Sequence, residues 1–120
     1  MASNFLIISE DPVFSSIMHR HLVNHFNLST IKKINSYSSL KLINEDIRFD
    51  LILLDDSIKG AANYEIISYL RLHKNITTSV IYFSNMEIDE EKARQKGANI
   101  FFKKPFVPSE VIKGIESLLD

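Results

Sequence analysis

A doubly wound α/β domain built on a parallel sheet is the fold class this sequence predicts, and three observations predict it. Five short apolar runs alternate with five stretches of helical periodicity along the 120 residues. The runs do not alternate polar with apolar, which suits strands covered on both faces. Pro12, Gly97 and Pro108 fall at borders between these stretches, where a helix start or stop is expected. Right-handed crossovers are expected between successive strands.

Phe5 to Ile8 is the first apolar run, ending in Ser9-Glu10-Asp11-Pro12. Pro12 opens a helix carrying Phe14, Ile17, Met18, Leu22 and Phe26 at helical spacing. Thr30 to Ile34 reads as a weaker strand, and Ser38 is the expected cap of a short helix with Leu40, Ile43 and Ile47. Leu51 to Leu54 is a second fully apolar run, closed by Asp55-Asp56. Tyr64, Ile67, Leu70 and Leu72 predict the third helix, and Ser79 to Phe83 the fourth strand, ending at Ser84-Asn85. Asp89 to Lys96 is a charged helix with Gly97 as its left-handed stop. Its few apolar anchors, Ile88 and Ala93, suit a solvated face, or else a mobile output helix. Ile100 to Phe102 is the fifth strand, followed by Lys103-Lys104-Pro105, and Pro108 opens a last helix with Val111, Ile112, Ile115, Leu118 and Leu119.

Composition narrows the function classes. With 45% hydrophobic residues, the chain is not expected to be disordered. It has no cysteine, so a disulfide framework and a thiolate metal site are both excluded. A formal charge of −1 gives no general attraction for nucleic acid or membrane surfaces. The apolar runs are far shorter than the roughly 18 residues that a membrane helix needs. A cytoplasmic location and one domain over residues 1–120 are the expectations.

Open α/β sheets bind ligands at the carboxyl ends of their strands. In order, those ends read Ser9-Glu10-Asp11, Asp55-Asp56-Ser57, Ser84-Asn85 and Lys103-Lys104-Pro105. That is acid, acid, hydroxyl and ammonium on one rim. No glycine-rich phosphate loop follows the first strand, which argues against a nucleotide site.

With those blocks in view, the sequence resembles the receiver domain of two-component response regulators over its whole length. The carriers are "FLIISEDP", "DLILLDDSIKG", "SVIYFSN" and "KGANIFFKKPF". The resemblance implies the flavodoxin-like receiver fold, a five-stranded parallel sheet in the order 2-1-3-4-5. It implies Asp55 as phosphoacceptor, with Ser84 and Lys104 contacting the phosphoryl group and Phe101 as the aromatic switch. It implies Mg²⁺ held by Glu10, Asp55 and the backbone carbonyl of Ser57, with Asp11 as a further candidate. The implied partners are a histidine kinase or phosphotransfer protein, and a downstream protein or second copy on the face of the fourth helix, fifth strand and fifth helix. No enzyme activity is expected beyond self-catalysed phosphotransfer and dephosphorylation.

Three residues depart from the family pattern. Ser9 stands where an acid is usual, Lys59 where proline is usual and Asn63 where glycine is usual. Ser9 removes a charge and Lys59 adds one, so weak Mg²⁺ binding is expected. Asn63 is expected to be mild, because Asn tolerates the left-handed region.

Other residues have plainer readings. His19, His21 and His25 are expected at the edge of the core rather than on a metal. Asp56 is expected to point away from Asp55 by strand alternation. Phe102 reads as a core residue. Two alternatives stand beside the phosphoacceptor: a degenerate receiver acting as a phosphorylation-independent interaction module, and an Asp-nucleophile phosphatase. The second is disfavoured, because Ser57 stands where a catalytic acid would be needed.

Overall fold

The computed structural model describes residues 3–43, 48–60, 62–87 and 89–119. Among these residues five strands and five helices alternate: β1 (Ser3–Ile8), α1 (Pro12–His25), β2 (Ser29–Ile34), α2 (Tyr37–Lys41), β3 (Leu51–Asp55), α3 (Asn63–Leu72), β4 (Val80–Ser84), α4 (Asp89–Lys96), β5 (Ile100–Lys103) and α5 (Pro108–Leu119). The strands form one parallel sheet in the order β2-β1-β3-β4-β5.

Both faces of the central strands are covered, which is why their sequences are apolar without alternation. Leu6, Ile8, Ile52, Leu54, Val80 and Tyr82 point into one layer, with Leu40, Ile66, Ile67, Leu70 and Ala93 from α2, α3 and α4. Phe5, Ile7, Leu51, Leu53, Ile81 and Phe83 point into the other, with Phe14, Met18, Leu22, Val111, Ile112 and Ile115 from α1 and α5. The two outer strands differ in character: β2 carries exposed Lys32 and Lys33, and β5 has four residues.

Local signals account for most boundaries. Asp11 caps α1, its Oδ1 accepting from the Val13 N–H at 2.9 Å, and Pro12 takes the first turn, where no N–H partner is needed. Gly97 ends α4 at φ +117°, a conformation that suits glycine. Three expectations need correction. Ser36, not Ser38, caps α2, because Ser36 is the extended residue whose hydroxyl accepts from Ser39 N–H at 3.1 Å. Leu72 is 73% exposed, because α3 turns Ile66, Ile67 and Leu70 inward instead. Ile43 is buried just beyond the short α2, while Ile47 and Ile88 lie outside the described residues.

Arg71 ties the far ends of the helices together. Its guanidinium donates to the carbonyls of Ile76 (3.0 Å), Thr78 (2.6 Å) and Gly97 (2.7 Å). Burial pulls its pKa below the ordinary arginine value. Among the described residues no helix is long and apolar enough to cross a membrane.

Candidate functional site

The carboxyl ends of β1, β3, β4 and β5 bring Glu10, Asp55, Ser84 and Lys104 to one rim. Asp55 is the last residue of β3 and is fully buried. Its Oδ2 accepts from Lys104 Nζ at 3.1 Å. Its Oδ1 accepts from the Ser57 hydroxyl at 2.6 Å and the Ser57 N–H at 3.2 Å.

Asp56 does not turn away. Its Oδ1 accepts from Lys104 Nζ at 2.7 Å and its Oδ2 from Asn85 N–H at 3.1 Å. The alternation argument fails because β3 ends at Asp55 and the chain has already begun to turn. One ammonium therefore serves two carboxylates. Burial pushes the Asp56 pKa up, but the Lys104 bond, the Asn85 amide and the Lys104 charge outweigh it and hold it below the ordinary value. Burial pushes Lys104 down, but Asp56 and Asp55 outweigh it and hold the ammonium above its ordinary range. Beneath the rim, burial and then the charges of Asp89, Asp56 and Asp55 push the buried Tyr82 phenol well up.

Ser84 is fully buried, and its hydroxyl is engaged by α4. It donates to Asp89 Oδ2 at 2.8 Å and accepts from Met86 N–H at 3.1 Å. Phe101 is half-buried beside Tyr82, with ring centroids 6.1 Å apart. Phe102 stacks on Phe83 in the other layer. Lys104 also lies over the Phe14 ring at 5.2 Å.

The acids that the resemblance assigns to Mg²⁺ are engaged by protein donors. Glu10 Oε2 accepts from Lys59 N–H at 2.5 Å. Asp11 Oδ1 is spent on the α1 cap. The Ser57 hydroxyl accepts from the N–H groups of Glu10 (2.8 Å) and Asp11 (3.2 Å), and lies 3.1 Å from the Ser9 hydroxyl. Successive amides converging on one point favour a lone pair or an anion, not a cation. The donors in this arrangement do not fit the ion. Elsewhere, His25 meets Glu116 at 3.3 Å on the surface, and no group of three or more His, Cys, Asp or Glu is placed to hold a metal among the described residues.

The three departures have roles that residue type alone did not reveal. Lys59 contributes its backbone N–H to Glu10, while its side chain is exposed. Asn63 does not use the left-handed region, being the first residue of α3. Its Oδ1 accepts from Ile58 N–H at 2.9 Å and its Nδ2 donates to the Asp56 carbonyl at 3.0 Å, clamping the loop after β3. Ser9 is buried at 2% exposure, its hydroxyl accepting from Asp11 N–H at 3.0 Å. Asp89 is the other residue that sequence reasoning missed, since nothing in a charged helix start singles out one acid.

Residues 5–116 match the family model described as the response regulator receiver domain. The probable transcriptional regulator ycf29 of Porphyra purpurea is 28% identical over 99% of this chain, which spans 57% of that protein. The polar-differentiation response regulator DivK of Brucella anthropi is 28% identical over 95% of this chain and 94% of its own length. Among solved structures, the receiver domain of sensor histidine kinase PA1611 from Pseudomonas aeruginosa superposes with a TM-score of 0.81 at 18% identity. The match covers 99% of this chain and 98% of that one, and that structure is described with magnesium coordinated in its active site cleft.

Proposed function

The chain belongs to the response regulator receiver domain family, and from that premise we propose that it is a cytoplasmic switch whose Asp55 accepts a phosphoryl group from a histidine kinase or phosphotransfer protein. The observation that supports this reading is the Asp55 carboxylate at the end of β3, paired with Lys104 at 3.1 Å. An oxygen of Asp55 attacks the phosphorus of a phosphohistidine. The O–P bond forms, the N–P bond breaks, and the imidazole leaves. Charge on the transferred group is spread over its equatorial oxygens, so the fixed ammonium of Lys104 contributes by position and charge. An apolar hollow of about 300 Å³ beside Lys104, lined by Val13, Phe14, Ile17, Pro105 and Phe106, offers the donor protein a surface.

Output follows from the Ser84 contact. A phosphoryl group on Asp55 adds strong acceptor oxygens. Ser84 turns to them and gives up its bond to Asp89, the first residue of α4. Phe101 turns inward beside Tyr82. The face of α4, β5 and α5 changes, and a downstream protein or a second copy reads it. Residues 1–120 act as one receiver domain, a switch and not an enzyme with turnover on a separate substrate.

A second reading has its own support. Asp55 is fully buried, with both oxygens engaged by Ser57 and Lys104. That suits a phosphorylation-independent interaction module. Incubation with acetyl phosphate, with and without Mg²⁺, read by intact mass, separates the two. A phosphoryl adduct that Asp55→Asn abolishes is the expected result. No adduct under forcing conditions rejects the phosphoacceptor in favour of the module.

A further inference from the structure

We infer that this pocket works without a resident divalent cation, because its own hydroxyl and amide donors take the cation's place. The inference rests on Asp55 being the acceptor, but its readout is cation binding, so it can fail while that reading stands.

In a metal-assisted pocket the ion draws the acids of the first loop and the acceptor together and relieves their repulsion. Here the Ser57 hydroxyl makes that link. It has one proton and two lone pairs. The proton goes to Asp55 Oδ1 at 2.6 Å. The lone pairs accept the amide of Glu10 at 2.8 Å and that of Asp11 at 3.2 Å, the latter shared with the Ser9 hydroxyl at 3.0 Å. With those three bonds made the hydroxyl is full, so the Ser9 proton goes to the Asp11 carbonyl at 3.3 Å. The loops after β1 and β3 are thereby joined through a neutral group.

The second link holds Glu10. Its carboxylate accepts the Lys59 N–H, a donor that a proline at this position would lack. The third holds the loop in the shape that delivers both. Asn63 pins Ile58 and Asp56 with its side-chain amide, which a glycine could not do. A neutral hydroxyl at Ser9 fits the same logic, since an acid there would add a buried charge beside Asp55. The three departures from the family pattern therefore act together: Ser9 keeps the corner neutral, Lys59 occupies Glu10, and Asn63 presents Ser57.

A cation that takes Asp55 Oδ1 and Glu10 Oε2 as ligands displaces the Ser57 hydroxyl and the Lys59 N–H from them. Two charge-assisted bonds of this kind correspond to roughly a hundredfold loss of affinity or more. The test is a titration of the ¹⁵N-labelled domain with MgCl₂, with Mn²⁺ as a paramagnetic probe, following the amides of Glu10, Asp55 and Ser57. The wild type is expected to show no saturable shift in the millimolar range and no selective broadening. The double variant Ser57→Ala, Lys59→Pro is expected to saturate roughly a hundredfold more tightly. Should that variant lose spectral dispersion, Ser9→Asp carries the test, with a gain of about tenfold expected from the added acid ligand. Saturable wild-type binding at millimolar Mg²⁺ or below overturns the inference. So does a folded variant that binds no better than the wild type.

Discussion

Gly97→Ala tests how the far end of the domain is held. An added Cβ would stand 2.9 Å from Arg71 Nε and 3.3 Å from its Cγ, on a backbone at φ +117°. Left-handed strain for a residue with a Cβ costs about 1–3 kcal/mol. The Arg71 side chain must also shift, which weakens at least one of its carbonyl bonds, worth about 1.5–3 kcal/mol for a charged donor. The lost chain entropy of glycine returns about 0.4–1 kcal/mol. The expected net cost is about 3 kcal/mol, a sizeable part of a typical stability of about 5–15 kcal/mol. Urea unfolding at unchanged m-value measures it. A double-mutant cycle isolates the clash: in an Arg71→Ala background Gly97→Ala should cost about 1.5 kcal/mol less, because strain alone remains. A cost below about 1 kcal/mol, or the same cost in both backgrounds, refutes the reasoning.

Further outcomes are expected elsewhere. Leu28 sits at φ +62° and is 77% exposed, so Leu28→Gly should stabilise by about 0.5–1 kcal/mol and raise Tm by a few degrees in calorimetry. Asp89→Ala removes the Ser84 partner at the start of α4, and hydrogen exchange should show lower protection of the first turn of α4 without change in the central strands. The folded Asp56 pKa is depressed, so its contribution is complete above the unfolded value near about 3.9 and is lost as pH falls through the folded value. The folded Lys104 pKa is raised, so its contribution is complete below about 10.4 and is lost as pH rises through the folded value. Unfolding free energy against pH should therefore decline at both extremes, with a shallower acid limb in Asp56→Asn.

Some of this was legible from residue order because it rests on local signals. The run Leu51 to Leu54 marks a strand covered on both faces, so the acid that follows it had to reach the rim. Gly97 announced a left-handed stop, and Pro12 a helix start. What stayed hidden depends on side-chain direction and on backbone donors. Asp56 joins Lys104 because the strand ends one residue before alternation would have turned it away. Lys59 matters through its amide, which no reading of its charge reveals. The resemblance points to the Ser57 carbonyl, whereas it is the Ser57 hydroxyl that bridges two loops. Ser36 and Ser38 are equally good caps by type, and the chain path selects the first.

The two open edges of the sheet bear on how copies of this chain can meet. An edge strand offers unpaired amides and carbonyls to any other extended chain. On β2, the consecutive Lys32 and Lys33 send an ammonium to each face, so an added strand would have to desolvate one of them. On β5, pairing length is short, and Pro105 soon follows without an N–H to donate. Sheet extension, the route to runaway strand addition, is disfavoured at both edges. A second copy, were one to bind, would find the helix-covered flanks the less obstructed surface, where it could be gained and released without any strand changing its pairing.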